Sequence, residues 1–414
     1  MASTIDSAPD LLRPAGQPLV FKFSTSLSPL PAGFRFAVRV YESTTTATGS
    51  VIGTFYLTPN ADDEGYFDLS DIAEGRVGAP NTAYDTGLTA DVVVHTATGA
   101  TNTSLENTIL RYTVGVQDYT GSALGSDDDT AAVYLLGGTQ QISQGLHPSF
   151  TAYYPTSIST QGWLTDRPYA AKNLYATFAD EDEAVGVICH TTNLGVTTDW
   201  AEVEYVLYKD GAVVSTQSTG ITGSAIMTGN YFILPIGPVN LQETVFSGTW
   251  DADWDQIRIY GTDGDIVAPA KRTATLIIDR DCRPIKHDPV QLAWANTVGG
   301  WDYLRFDGRN LKTLQTESKD YRKSVGFDFN AWDRQTTPYH KTGKEVYQLR
   351  NQLFTASERD LLQYAFRSKN VMYRVGSGDW LPCTIATNSY QVIPATSKTF
   401  DVSFQIELAQ DIRC

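Results

Sequence analysis

The sequence predicts a mainly β protein: two immunoglobulin- or fibronectin-like antiparallel sandwiches followed by a small α+β domain. Three observations carry that expectation. Apolar and polar residues alternate along many short stretches of the first 280 residues, the period of half-buried strands. Clusters rich in Gly, Pro, Asn and Asp separate these stretches at the spacing of sandwich strands. A convincing helical stripe occurs only near the end of the chain. The length of 414 residues suits about three domains. A composition of 42% hydrophobic and 19% charged residues belongs to a folded chain rather than a disordered one.

Residues 1–17 read as an N-terminal arm, and the first sandwich as 18–138. Its clearest strand is Phe34–Tyr41, with Phe34, Phe36, Val38 and Val40 on one face and Arg35 and Arg39 on the other. Val51–Leu57, Tyr66–Leu69, Ala90–His95, Leu110–Val116 and Ala131–Leu136 follow, interrupted by turn-rich segments such as Thr58–Gly65. Residues 139–167, which include Pro148, Pro155 and Trp163, lack periodicity and read as a connecting segment. The second sandwich, 168–280, contains Leu174–Phe178, Ala184–Cys189, Tyr231–Leu234, Gln256–Tyr260 and Thr273–Ile278. Between the apolar runs of Val203–Val214, Asp210-Gly211 predicts a two-residue hairpin. A type I′ turn needs positive φ at both central positions.

Residues 281–414 form the α+β domain. Thr355-Ala-Ser-Glu358 fits a capping box, and Leu361, Leu362, Ala365 and Phe366 make an apolar stripe at helical spacing. Val371–Val375, Trp380–Ala386 and Thr399–Leu408 read as strands, the last alternating cleanly through Phe400, Val402, Phe404, Ile406 and Leu408.

Charge divides the chain. Residues 1–270 hold 10 Lys and Arg against 31 Asp and Glu, a net of −21; residues 271–414 hold 21 against 16, a net of +5. An acidic bulk repels nucleic acid, and a basic end suits an acidic partner, including the acidic part of another copy. Simple solvation of both faces accounts for the same numbers. Met1–Gln17 carries Asp6 and Asp10 without an apolar stretch, so no signal peptide is expected, and the apolar runs are too short for membrane insertion.

Chemical motifs are sparse. Cys189, Cys282, Cys383 and Cys414 contain no Cys-x-x-Cys pair and do not make a disulfide framework. His95, His147, His190, His287 and His340 show no metal-ligand spacing. Cys189, His190, Cys282 and His287 would have to converge in space to hold zinc; buried cysteine and surface histidines are the alternative. Asp251-Ala-Asp-Trp-Asp255 alternates as a calcium loop does, but Gln256 and Thr262 stand where an EF-hand needs Gly and an acid. A looser calcium site there, or at Asp127–Asp129, stays open beside a solvated loop tip. No nucleophile elbow, Walker A or dinucleotide fingerprint is present. No catalytic residue, metal or cofactor is assigned, and a non-enzymatic protein is expected. Paired glycosidase carboxylates have no sequence signature that would reveal them.

The segment Cys282–Phe306, with its Leu292-Ala-Trp-Ala-Asn296 strand end, Gly299-Gly-Trp-Asp302 and Tyr303-Leu-Arg-Phe306, resembles a segment of virion proteins from tailed phages of Bacteroidota hosts. Those proteins usually carry Asn-Arg-Leu-Gly-Gly where this chain has Asn296-Thr-Val-Gly-Gly300. Tyr321-Arg-Lys, the helix, Trp380–Ile385 and Asp401–Arg413 are similar too, and more loosely Phe36–Tyr41 and Gly65–Ser70. The resemblance implies a structural subunit at the tail tip or baseplate that assembles into an oligomeric ring through its C-terminal domain. Its implied partners are copies of itself and other virion tail proteins. The implied location is the virion tail, after synthesis in the host cytoplasm. No catalytic residues come with it. The alternative is a receptor- or glycan-binding module, with Trp200, Trp250 and Trp254 as sugar platforms and a host surface glycan or receptor as partner.

Trp294, Gly299, Gly300, Trp301, Tyr303, Arg305, Arg309 and Arg322 are the candidate interface residues. Together with Phe306, Lys312, Lys319 and Lys323 they interleave aromatics with bases. That pattern fits an interface centre, ordinary core packing, or a single-stranded nucleic-acid site. No nucleic-acid partner is expected on balance of charge. Gly299-Gly300 predicts a tight turn that residues with a side chain resist.

Overall fold

The computed structural model describes residues 3–10, 12–43, 49–77, 93–95, 109–121, 126–138, 153, 162–167, 169–170, 173–178, 184–189, 202–220, 230–263, 269–280, 287–322, 336–353, 356–376, 380–386, 400–408 and 412–413. The chain divides into two compact units. The first is Met1–Cys282 with Ala295–Asp302; the second is Arg283–Trp294 with Tyr303–Cys414. The architecture is mainly β, with several sheets that are largely antiparallel.

The first unit begins with β1 (Ser3–Ser7), β2 (Leu12–Pro14), β3 (Val20–Thr25), β4 (Arg35–Ser43), β5 (Ser50–Leu57), β6 (Gly65–Asp68), helix α1 (Ser70–Glu74), β7 (Val93–His95), β8 (Ile109–Tyr119) and β9 (Asp129–Leu136). A three-stranded sheet, β1-β3-β6, and a five-stranded sheet, β2-β9-β8-β4-β5, share one core. The alternation seen in the sequence sets this up: Phe36, Val38 and Val40 point inward from β4 and meet Phe21 and Phe23 of β3. The Phe23 and Phe36 rings lie 6.1 Å apart. Residues 3–14, set apart as an arm by the sequence reading, supply β1 and β2 to these two sheets. β2 runs parallel to β9, so this layer pair is not purely antiparallel.

The unit continues with β10 (Trp163–Leu164), β11 (Tyr169–Ala170), β12 (Asn173–Phe178), β13 (Ala184–Cys189), β14 (Glu202–Lys209), β15 (Ala212–Gly220), β16 (Asn230–Pro235), helix α2 (Pro238–Thr244), β17 (Gln256–Thr262) and β18 (Thr275–Arg280). Two sheets, β10-β13-β16-β7 and β11-β12-β18-β17-β14-β15, again share a core, which contains Tyr205, Leu207, Leu234, Trp254 and Ile259. Asp210 and Gly211 take φ of 51° and 74°, the conformation their hairpin requires. Three features depart from expectation. β7 joins the β16 edge of this second set rather than the first. β12 runs parallel to β18. Trp163, placed by sequence in a connecting segment, is fully buried, and its indole N–H donates to the Ala274 carbonyl at 2.9 Å.

The second unit holds β19 (Val290–Ala295), β20 (Trp301–Phe306), β21 (Leu311–Arg322), β22 (Thr336–Leu353), helix α3 (Ala356–Ala365), β23 (Val371–Val375), β24 (Leu381–Ile385), β25 (Phe400–Leu408) and β26 (Ile412–Arg413). They form one sheet in the order β20-β19-β23-β24-β25-β22-β21, with β26 also on β22. The tip of the β19–β20 hairpin, Ala295–Asp302, belongs to the first unit. Leu361, Leu362 and Ala365 of α3 pack into the sheet's core with Trp294, Phe306, Phe404 and Ile406, as their helical spacing predicts. Thr355, the expected cap residue, lies outside the described residues.

Candidate functional site

The candidate interface residues divide by burial. Trp294, Trp301 and Tyr303 are 0%, 4% and 3% exposed, and both glycines are buried, so these five positions are covered by the chain's own atoms. Of the three readings open to the aromatics, core packing is what the structure displays. Trp294 sits among Leu292, Phe306 and Leu362. The Tyr303 ring meets Trp380 edge-on at 5.9 Å, and the Arg374 guanidinium lies 4.9 Å from the Trp380 centroid. Arg374 in turn donates through Nε to Gln291 Oε1 at 2.8 Å. Arg305 is tied to Asp307, Nε to Oδ1 2.6 Å. Only Arg309 and Arg322 of the set are solvent-exposed.

Sequence motifs give little warning of the polar network that holds the Gly-Gly turn inside the first unit. Asn296 accepts from the backbone N–H groups of Val298 (3.1 Å) and Gly300 (2.7 Å) and donates through Nδ2 to the Leu164 carbonyl (2.8 Å) and Asp302 Oδ2 (3.2 Å). Asp302, 1% exposed, also accepts from the Thr165 hydroxyl and from the Asp166 backbone N–H at 2.8 Å. Asp166 reaches back, accepting from the Thr297 backbone N–H at 2.9 Å and from its hydroxyl. Arg167 Nε lies 4.0 Å from Asp302. Burial raises the Asp302 carboxyl above the usual range, against the pull of Arg167 and the donors around it. Gly299 has φ +90°, and a Cβ on it would fall 2.5 Å from the Gly137 carbonyl oxygen. Gly300 lacks positive φ and is required for a different reason: a Cβ there would overlap the Leu164 carbonyl oxygen. The network holds the turn, with Asn296 and Asp302 both buried.

The acidic motifs are likewise spoken for. Lys209 Nζ lies 3.1 Å from both Asp251 carboxylate oxygens and 3.4 Å from Asp253, so an ammonium occupies the position a bound cation would need. Asp255 accepts from the Asp210 backbone N–H. Asp128 and Asp129, expected at a solvated tip, accept from the backbone N–H groups of Ser3 (3.3 Å) and Ile5 (2.9 Å) and so hold β1 in place. Asp127 accepts from the Tyr41 hydroxyl. Among the described residues no group of three or more His, Cys, Asp and Glu could hold a metal ion. His287 and His340 are exposed, and the side chains of Cys189, His190 and Cys282 lie outside the described residues. Trp254 is buried and so offers no open face, and Trp250, partly buried, packs on it at 5.9 Å; Trp200 lies outside the described residues.

The β21–β22 ribbon is accessible along β21. All 12 residues of β21 are exposed. β22 pairs with β21 from Thr336 to Gln348 but with β25 only from Val346 to Leu353. Among the described residues, apart from the Thr342–Gly343 contact with β26, the ribbon therefore extends past the other strands of the sheet. Pro338 is accommodated at a register shift, where Lys319 pairs His340 and Asp320 pairs Pro338, leaving Tyr339 extra and 64% exposed. Leu314 and Tyr321 are 56% and 46% exposed. Sequence reasoning expected a strand before the helix, where β22 lies, but singled out only the bases of β21 and not its strand. With neither face buried, the alternation that reveals strands is absent. No family model and no curated protein sequence matches this chain.

Proposed function

We propose that the chain is a non-enzymatic structural subunit that assembles with copies of itself through its C-terminal unit, as part of a tailed-phage virion at the tail tip or baseplate. The observation that carries the self-assembly is the exposed ribbon. A two-stranded hairpin on its own is marginal in water, and an exposed edge of 12 residues is a template for pairing with another chain. The charge division supports it, since a subunit of −21 and +5 parts offers its neighbour a complementary surface. The virion placement rests on the resemblance of Cys282–Phe306 and, more weakly, of the later C-terminal segments and Phe36–Tyr41 and Gly65–Ser70.

In this reading the two sheet pairs of the first unit are immunoglobulin- or fibronectin-like modules carrying the acidic surface. The small α+β unit provides the contact that repeats around a ring. The Gly-Gly-Trp-Asp segment is the internal scaffold rather than the contact itself. Sedimentation of the full chain, together with electron microscopy of the purified protein, tests the assembly. Closed particles support it; a monomer at every concentration rejects it. A screen against host polysaccharides and peptidoglycan tests the absence of catalysis, and turnover abolished by changing a single carboxylate would overturn it.

A further inference from the structure

Among the described residues the outer edge of β21 is unpaired, and its pattern points to one occupant. Natural sheet edges are kept apart by shortness, proline, bulges or charged side chains, lysine above all, so what decides for β21 is how its charges are placed. β21 is 12 residues long, contains no proline, and the bulge beside it lies on β22. Its charges are Lys312, Glu317, Lys319, Asp320 and Arg322. Two antiparallel copies of one strand, related by a two-fold axis through the sheet, place a residue opposite itself and every other residue opposite a fixed partner. With Thr316 at the axis, Lys312 faces Asp320 of the second copy, Leu311 faces Tyr321, Leu314 faces Ser318 and Glu317 faces Gln315. Lys319 then faces Thr313 and Arg322 faces Asn310. No like charges are opposed, and the Lys–Asp pair occurs twice. Moving the axis to Glu317 puts that carboxylate against itself and Lys312 against Arg322. Moving it to Gln315 opposes no like charges but loses both Lys–Asp pairs, and moving it to Ser318 sets Glu317 against Lys319 twice but pairs only nine residues of β21 with one another instead of eleven.

We infer that β21 pairs antiparallel with β21 of a second copy, with Thr316 on the two-fold axis. This extends the sheet of the C-terminal unit across two chains. Lys312 already lies 2.7 Å from Glu345 on the β22 side, and the second copy's Asp320 meets it from the open side. Exposed Leu311 and Tyr321 come together on the opposite face of the extended sheet. The inference rests on the self-assembly proposed above and names its contact. A two-fold contact closes pairs, so a larger ring that also uses it contains an even number of chains.

Single cysteines in the full chain test the register. Thr316→Cys brings two thiols across the axis within about 5 Å of Cβ separation, close to disulfide reach and within that of a short bifunctional thiol reagent. It is expected to give covalent dimers under mild oxidation or with that reagent, whereas Thr313→Cys and the unaltered chain do not. Asp320→Lys sets lysines against each other twice and is expected to weaken dimerisation about tenfold or more, and Lys312→Asp with Asp320→Lys to recover most of it. Dimers that persist without cross-linking at 316, and are indifferent to Asp320→Lys, would overturn this contact while leaving self-assembly standing. A monomer in every case would remove both.

Discussion

Two neighbouring hairpins make opposite use of the same kind of backbone. In β19 all six residues are buried, and the β19–β20 tip has its polar groups bonded within the first unit. In β21, only five residues after β20 ends, all 12 are exposed. The segment with the most distinctive sequence is therefore internal scaffold, because close backbone approach and buried polar groups tolerate few residue types. The segment with the least distinctive sequence is the surface. A strand with no buried face is under no packing constraint, and only its outward partner can restrict it.

Substitutions sharpen this contrast, beginning at the buried tip. Asp302→Ala removes from a buried site the acceptor of the Thr165 hydroxyl, the Asp166 backbone N–H and one Asn296 Nδ2 hydrogen, and the carboxylate 4.0 Å from Arg167, and is expected to cost about 3–5 kcal/mol in denaturant unfolding. Gly300→Val forces a side chain against the Leu164 carbonyl and should cost about 2–3 kcal/mol, read as a lower thermal midpoint. If either change were neutral, the tip would be a surface loop and the contrast would collapse.

At the ribbon the same measurement should hardly move. Glu345→Gln removes the partner of Lys312, whose side chain is half exposed, and is expected to cost less than about 0.5 kcal/mol. Its hydrogen bond to Glu345 is the main cause raising the Lys312 ammonium above its ordinary value of 10.5. The small contribution is thus complete below pH 10.5 and fades only as pH rises through the folded-state value. A flat difference between wild type and Glu345→Gln from pH 6 to pH 9, in unfolding titrations, is the expected outcome.

The sequence displayed what burial imposes. The alternation in Phe34–Tyr41, the Asp210-Gly211 turn and the α3 stripe all lie where the pattern puts them, since each has one face in a core. The N-terminal strands were hidden because β1 is largely exposed and is held by Asp128 and Asp129 from 120-odd residues away. β10 is two residues long, too short for any period, and Trp163 alone marks it. At the tip, the glycine requirement was legible, but the Asn296–Asp302–Thr165 network was not, because its members come together only through the fold. The aromatics near it suit core packing first and an interface second, and their burial places them in a core.

The central claim is that the exposed ribbon is a contact between copies, and sedimentation equilibrium of the full-length chain over a wide concentration range tests it most directly. Masses are expected to rise with concentration to multiples of the 45.4 kDa chain and to fall back toward 45.4 kDa when Asp320→Lys is introduced. A constant 45.4 kDa at every concentration would contradict it.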